Sequence, residues 1–280
     1  MSKSVQEALK RANQALAVAG VECAARDARL LMAFTLEVQP YQISLLLNDI
    51  LDPAQQAIFD QVYTKRAARI PMSHILGYRD FYEHRFIVTP DVLDPRPETE
   101  ILVSLALEED FMTVLDLGTG SGCILLSLLA KRHYSFGLGV DKSPKAILIA
   151  QRNAAKLQIS KQVNFFVSNW FSQVPVSKFD LIVSNPPYIH PNAMAELSLE
   201  VLHEPESALT DHIDGLTHYR QIAKLAHNFL APNGRLLFEI GFDQGPAVSA
   251  ILDENQFSNI TVLPDLNDHP RVVACRSRHR

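Results

Sequence analysis

The residues with the clearest chemical potential are Asn185, Pro186, Pro187 and Tyr188, which follow directly on the apolar run 179–183. Proline has no backbone donor and a fixed φ, so Pro186 and Pro187 must end any strand that precedes them. A stiff surface turn would account for the prolines alone. The chemical reading is an asparagine and a row of backbone carbonyls, held still to grip a substrate.

A second group lies earlier in the chain. Residues 113–123, TVLDLGTGSGC, read as a strand, a glycine-rich turn and a helix start. Gly118, Gly120 and Gly122 let backbone approach a ligand with no Cβ in the way. The spacing is not the dinucleotide fingerprint, because the glycine required at position 123 is Cys123. The form D-L-G-x-G-x-G suits a ligand that presents an amine and a carboxylate. Asp116 can serve the ammonium side, and the helix N-terminus near Gly122 favours the anion. The next apolar segment ends at Asp141. Alone, Asp141 reads as a helix cap; beside a glycine loop it is placed to accept two ribose hydroxyls. The third segment leads to Asn169 and Trp170, the only tryptophan. Trp170 is either a core residue or an indole packed on an adenine, with Asn169 at the edge of that ring. An amino acid, a ribose and an adenine are the three parts of S-adenosylmethionine.

Strands and helices must bring these tips together. From Thr113 onward, apolar strands fit at 113–117, 136–140, 163–167, 179–184, 234–240, 258–263 and 271–275. Helical patterns at 122–131, 144–157, 215–230 and 243–254 separate most of them. Such alternation predicts right-handed crossovers and a mostly parallel sheet. Only PDLNDHP separates the last two strands, so that pair is expected to be antiparallel. Residues 1–70 read as helices only: Val5, Ala8, Leu9, Ala12, Ala15, Leu16 and Ala19 recur at helical spacing, with Gly20 as the stop. Further helices are expected at 24–37 and 41–47, and from Asp52 as N-cap with Pro53 at the first position to about Arg69. Residues 78–89 read as a short hairpin or connector. A helix is expected to begin at PRPETEIL, 95–102, with Glu98 and Glu100 in its first turn. The division expected is 1–71 helical, 72–90 connector, and 91–280 the α/β domain.

Composition narrows the classes. The chain has 280 residues, 47% hydrophobic and 20% charged, which is ordinary for a soluble globular protein. With 26 Lys+Arg against 31 Asp+Glu the net charge is −5, so no general nucleic-acid electrostatics is expected. The basic stretch 271–280 reads as solvated surface. The first residues lack the apolar core of a signal peptide, and no apolar run reaches membrane-spanning length. Cys23, Cys123 and Cys275 are scattered and odd in number, which suits a reducing cytosol without disulfides or a zinc site. A cytoplasmic protein, monomeric by default and without a metal, is expected.

DLGTGSG, Asp141 and NPPY together resemble class I methyltransferases that act on exocyclic or amide nitrogens. The wider pattern resembles the peptide chain release factor N(5)-glutamine methyltransferases. It is carried by HILGYRDFY (74–82), PRPETE (95–100), DLGTGSGCILLSLL (116–129), QRNA (151–154), SNWF (168–171), SNPPYI (184–189), HEPESAL (203–209), DGLTHYR (214–220) and RVVACR (271–276). The resemblance implies a seven-stranded, mostly parallel Rossmann-like methyltransferase sheet with an antiparallel last strand, preceded by a small all-helical domain that docks the substrate. It implies that Gly118, Thr119, Gly120, Ser121, Gly122, Asp141 and Trp170 bind S-adenosylmethionine, that Asn185 touches both cofactor and substrate, and that Asn185, Pro186, Pro187 and Tyr188 hold a release-factor glutamine. Asp94, Asn169 and His203 depart from the family pattern. An amide nitrogen is a poor nucleophile, and attack on a sulfonium methyl places positive charge on it. The Asn185 side-chain oxygen and the Pro186 carbonyl would accept its N–H groups and strengthen as that charge forms, while Tyr188 packs on the aliphatic part. An adenine-N6 methyltransferase would share NPPY but calls for a basic cleft, and a ribosomal-protein glutamine is a sister substrate. A non-enzymatic cofactor-binding module would not need Asn185 and its prolines.

Overall fold

The structure, a computed structural model, describes residues 4–278. Contacts divide the chain into two compact units: residues up to Gly77 together with Ser198–His203, and the remainder from Tyr78.

In the first unit, helix α1 (Val5–Val18) starts at Ser4, whose hydroxyl accepts from the Glu7 amide while Glu7 reaches back to the Ser4 amide. Helices α2 (Ala24–Thr35), α3 (Pro53–Ala67) and the short α4 (Met72–Leu76) complete the bundle. Asp52 caps α3 and Pro53 occupies its first turn, as expected. Residues 40–45 form a 3-10 turn rather than the third α-helix expected at 41–47. The apolar stripe Val5, Ala8, Ala12 and Leu16 packs with Leu31, Met32 and Phe59. The segment Ser198–His203, distant in sequence, joins this unit through Glu200, which receives Arg69 Nε at 2.7 Å and Arg66 Nη1 at 2.9 Å. Burial pushes the Glu200 carboxyl up, but the two guanidinium groups outweigh it and hold the group near 2.

The second unit opens with the antiparallel hairpin β1 (Tyr78–Phe81) and β2 (His84–Ile87). The PRPETE segment begins with a single 3-10 turn, Pro97–Thr99, and continues as α5 (Glu100–Leu107). The strands β3 (Thr113–Leu117), β4 (Phe136–Asp141), β5 (Val163–Val167), β6 (Phe179–Ser184), β7 (Leu230–Glu239), β8 (Phe257–Pro264) and β9 (Pro270–Ser277) lie in the order β5-β4-β3-β6-β7-β9-β8. The first five are parallel, and β9 runs antiparallel to both neighbours. Helices α6 (Cys123–Lys131), α7 (Pro144–Lys156), α8 (Thr217–Ala226) and α9 (Gly245–Glu254) cross over between strands.

Both faces of the central strands are covered, so adjacent residues point to opposite cores: Leu181 and Val183 to one, Ile182 to the other. The strand expected at 234–240, β7, starts earlier than 234, because Phe179 pairs with Leu230 before a bulge restores register at Leu181 and Arg235. The basic stretch 271–280 is not solvated surface. Residues 270–277 are β9, and the Arg271 side chain, only 15% exposed, pairs with Asp265; positions 279 and 280 lie outside the described residues. Among the described residues, no helix is long and apolar enough to cross a membrane.

Candidate active site

Register decides where the chemistry sits. Leu117 pairs with Val140 and with Ser184, and Asp141 pairs with Val167. Four parallel strands therefore end level, and the residues that follow them, Gly118, Lys142, Ser168 and Asn185, leave the same edge of the sheet. That carboxyl edge is where open α/β sheets bind ligands. A cleft there is lined by Gly118, Gly120, Asp141, Asn169, Trp170, Asn185 and Pro187 among others.

The glycine loop is held by backbone bonds from Gly118 and Thr119 to the Val140 carbonyl, at 2.8 and 2.9 Å. Gly118 has φ +75, and a Cβ there would meet the Trp170 ring at 3.4 Å. The Asp141 carboxylate accepts from the Gly120 amide at 2.9 Å and from the Ser143 amide at 2.8 Å. Asp141 is thus the helix cap and the tie to the loop at once, and a carboxylate retains lone pairs for further donors. Burial raises its pKa against those two bonds. Thr119 and Ser121 turn inward: the Thr119 hydroxyl donates to Asp116 at 2.7 Å, and both side chains are buried. Asp116 is fully buried and its Oδ1 has no partner; burial pushes its carboxyl up to about 7. Gly122 caps α6 with φ +81.

Trp170 has a left-handed φ of 50, its carbonyl accepts from Ser168 Oγ at 2.6 Å, and its indole N–H donates to Gln221 at 3.0 Å. The His218 ring packs on it, centroids 5.0 Å apart. Burial lowers the His218 pKa, so the ring is held neutral. Together the two rings make an aromatic wall. Asn169 lines the same cleft.

Asn185 is half-buried and donates through Nδ2 to the Thr99 hydroxyl at 3.4 Å. Pro186 is buried behind it and Pro187 borders the cleft. Tyr188 sits below: its hydroxyl points at Glu239 Oε1, 3.4 Å away, and its carbonyl accepts from Gln244 Nε2 at 3.0 Å. Tyr188 is thus held by two polar anchors.

Several contributors were not singled out from the sequence. His218 is one, hidden in a helical pattern. Asn153 is another: fully buried on α7, it receives the Ile87 amide at 2.7 Å and donates to the Ser121 carbonyl at 2.9 Å, tying β2 to the glycine loop. A buried asparagine on the apolar face of a helix was the available signal. Arg96 and Glu204 are a third, bonded at 2.6 Å, with Glu204 also accepting the Asp94 amide at 3.1 Å. Asp94, one of the departures from the family pattern, keeps its backbone in that link. His203, the residue before Glu204, falls in the first compact unit. Among the described residues, no group of three or more His, Cys, Asp and Glu side chains could hold a metal ion.

The family model described as the methyltransferase small domain matches residues 89–215, and the one described as the PrmC N-terminal domain matches residues 7–77. The chain is 47% identical to the release factor glutamine methyltransferase of Cereibacter sphaeroides, over 96% of this chain and 97% of that protein. It is 40% identical to the release factor glutamine methyltransferase of Rhodospirillum rubrum, over 96% of this chain and 84% of the other. Among solved structures, a methyltransferase from Pyrococcus furiosus superposes with a TM-score of 0.54 over 69% of this chain and 89% of that one. At 13% identity that likeness speaks to the fold alone.

Proposed function

Because this chain belongs to the family of release factor glutamine methyltransferases, we propose that it transfers a methyl group from S-adenosylmethionine to the side-chain amide nitrogen of the glutamine in the Gly-Gly-Gln motif of peptide chain release factors. The observation that carries the reading is Asn185, whose Nδ2 is engaged by the Thr99 hydroxyl and whose side chain lines the cleft formed by the other strand tips, which supports turning its oxygen to the substrate.

The donor set fits the cofactor. Gly118 and Gly120, both at positive φ, bring backbone without side chains to the cleft, Asp141 has lone pairs for hydroxyls, and Trp170 with His218 offers aromatic faces to a flat base. Thr119, Ser121 and Gly122 support the loop through buried contacts. S-adenosylmethionine supplies an electrophilic methyl on a sulfonium. The chain's part is to bind, orient and stabilise. Asn185 Oδ1 and the Pro186 carbonyl accept the two N–H groups of the substrate amide and aim its nitrogen. As that nitrogen gains positive charge the two bonds strengthen, which is differential stabilisation of the transition state. The N–H acidified by transfer then loses its proton to solvent. Pro187 and Tyr188 hold the tip rigid, and the helical region up to about residue 71 docks the body of the release factor. The protein works as a cytoplasmic monomer without nucleic acid.

The test is incubation with labelled S-adenosylmethionine and purified release factor, with peptide mass spectrometry to locate the methyl. A methyl on the Gly-Gly-Gln glutamine is the expected outcome. Label that follows nucleic acid, or a ribosomal protein, and leaves the release factor unmodified would replace the reading.

A further inference from the structure

The proline tip is braced by a side chain that the transfer chemistry does not use. Gln244 stands at the start of α9, where its backbone amide donates to the Gly241 carbonyl at 3.0 Å. Its side-chain amide reaches the tip and meets four groups. Nε2 donates to the Tyr188 carbonyl at 3.0 Å and to the Gly215 carbonyl at 3.2 Å. Oε1 accepts from the Gly241 amide at 3.0 Å. The buried Tyr219 hydroxyl, which bonds the Glu239 carbonyl at 2.9 Å, lies 3.4 Å from the same oxygen. A backbone N–H only donates and a carbonyl only accepts, so these partners leave the Gln244 amide one orientation, with its NH2 toward Tyr188 and Gly215.

The two carbonyls joined in this way belong to different parts of the site. Tyr188 closes the segment Asn185–Tyr188, which the proposed function gives to the substrate glutamine. Gly215 lies in the loop gathered by Asp211, and α8 begins two residues later at Thr217. That helix carries the supports of Trp170: the His218 ring lies 5.0 Å from the indole, and Gln221 accepts the indole N–H at 3.0 Å. One side-chain amide thus spans the substrate-holding tip and the helix that sets the aromatic wall. The joint has no slack, since a Cβ on Gly215 would come within 3.0 Å of Gln244 Nε2.

We propose that Gln244 is a positioning residue for methyl transfer, holding the Asn185–Tyr188 tip at the separation from the aromatic wall that aligns the substrate nitrogen with the cofactor methyl. The inference rests on the function proposed above. Gln244 lies outside the residues that line the cleft, so it acts through the tip and the wall. Reacting atoms must stand about 3–3.5 Å apart, and a misplacement of about 1 Å can cost about 10²-fold in rate. Losing the brace should therefore slow transfer and spare the binding of both ligands.

Two variants separate positioning from plain support of the fold. Gln244→Glu keeps an acceptor for the Gly241 amide but turns a second oxygen on the Tyr188 and Gly215 carbonyls. Gln244→Met keeps the length and removes donor and acceptor alike; Gln244→Asn, too short to reach both carbonyls, replaces it if a thermal melt shows it unfolded. In single-turnover transfer to a Gly-Gly-Gln peptide, the variants should be slowed by about 10²-fold at saturation, with affinities for cofactor and peptide within about twofold of wild type. A side chain that only caps the Gly241 turn would leave Gln244→Glu at the wild-type rate. The second readout needs no substrate. Tyr188–Ile189 is the only Tyr-Ile pair in the chain and Trp170 the only tryptophan. Carbonyl-labelled tyrosine with nitrogen-labelled isoleucine therefore gives one signal for the Tyr188 carbonyl, and the indole N–H gives one for the wall. Both signals should move in Gln244→Glu. An indole signal that stays put while the carbonyl moves, a carbonyl signal that does not move, a wild-type rate in Gln244→Glu, or a loss confined to ligand affinity overturns the proposal. A wild type that modifies no Gly-Gly-Gln peptide would count against the proposed function, while the two signals still decide whether Gln244 joins the tip to the wall.

Discussion

The carbonyl oxygen of Tyr188 lies 2.4 Å from the point that a Cβ on Gly215 would occupy. The Gly215 loop is drawn tight against the strand tip because Asp211 accepts the amides of Ile213, Gly215 and Thr217. Burial raises the Asp211 pKa, and these donors outweigh it, so the carboxylate stays ionised across the neutral range. From the other side, Gln244 Nε2 bonds both the Tyr188 and the Gly215 carbonyls, at 3.0 and 3.2 Å. No side chain fits at Gly215, and its φ of +73 is one that L residues rarely adopt.

Gly215→Ala should therefore act at a distance on methyl transfer. The added carbon must push the Tyr188 backbone, and with it Asn185 and Pro186, out of position. About 1–3 kcal/mol of stability should be lost to strain. Transfer should fall by about 10²-fold, the scale of a small misplacement of reacting groups. A thermal melt and single-turnover assay on the same sample check both; a folded variant with wild-type turnover would sever the link.

Asn185→Ala removes the acceptor itself. Transfer to a release factor should drop by at least about 10²-fold, as for loss of one preorganised transition-state contact. Affinity for S-adenosylmethionine should fall far less, since the glycine loop, Asp141 and the aromatic wall remain. A rigid turn with no chemical role would give the reverse, a modest loss of stability with near-normal turnover. Calorimetry beside a rapid-quench assay separates the two.

Asp141→Ala should weaken S-adenosylmethionine binding by about 1–3 kcal/mol. The loss has two sources, the acceptor for hydroxyls and the tie to the Gly120 and Ser143 amides. Unchanged affinity by isothermal titration would take Asp141 out of the binding set.

Asp116 offers a stability test with a definite sign. Its folded pKa is raised to about 7, above the unfolded value. Its stability contribution is full below the unfolded pKa of about 4, and is lost as pH rises to about 7. Asp116→Asn keeps an acceptor for Thr119 and has no charge to bury. The variant should match wild type in acid and melt progressively higher than it between pH 4 and 7, with a plateau above. Melting curves across that window are the check, and a gap that ignores pH would mean that Asp116 is not held neutral.

The docking role of the helical region can be tested on its surface. Tyr41 and Leu45, on the 3-10 turn, are 76% and 83% exposed. Tyr41→Asp with Leu45→Asp should raise KM for an intact release factor severalfold and leave KM for a short Gly-Gly-Gln peptide as it was. Equal effects on both substrates would place the fault in the other unit, and no effect on either would move the docking surface elsewhere.

Much of the α/β unit was legible because its signals are local. Apolar runs of strand length separated by helical spacing, glycines at each turn of the loop, and paired prolines after Asn185 each constrain their own backbone, whatever the rest of the chain does. That is why β3, β4, β5 and β6 fall on the expected residues, and why Gly118, Asp141, Trp170 and Asn185 come to one sheet edge. What needed the tertiary structure is whatever depends on pairs far apart in sequence. Hydropathy does not tell that β9 inserts between β7 and β8, since an apolar strand reads the same beside either neighbour. Nor does it show that Glu200, in a loop after the proline tip, belongs with Arg66 and Arg69 in the helical unit. Thr99 and Asn185 are 86 residues apart, and Tyr188 and Glu239 are 51 apart. A glutamate at the end of an apolar strand looks like a solvated terminus until the strand, the proline tip and the PRPETE turn close over it. The type of each reactive residue was written in the sequence; its protonation and the direction of its hydrogen bonds were decided by burial, which only the folded chain creates.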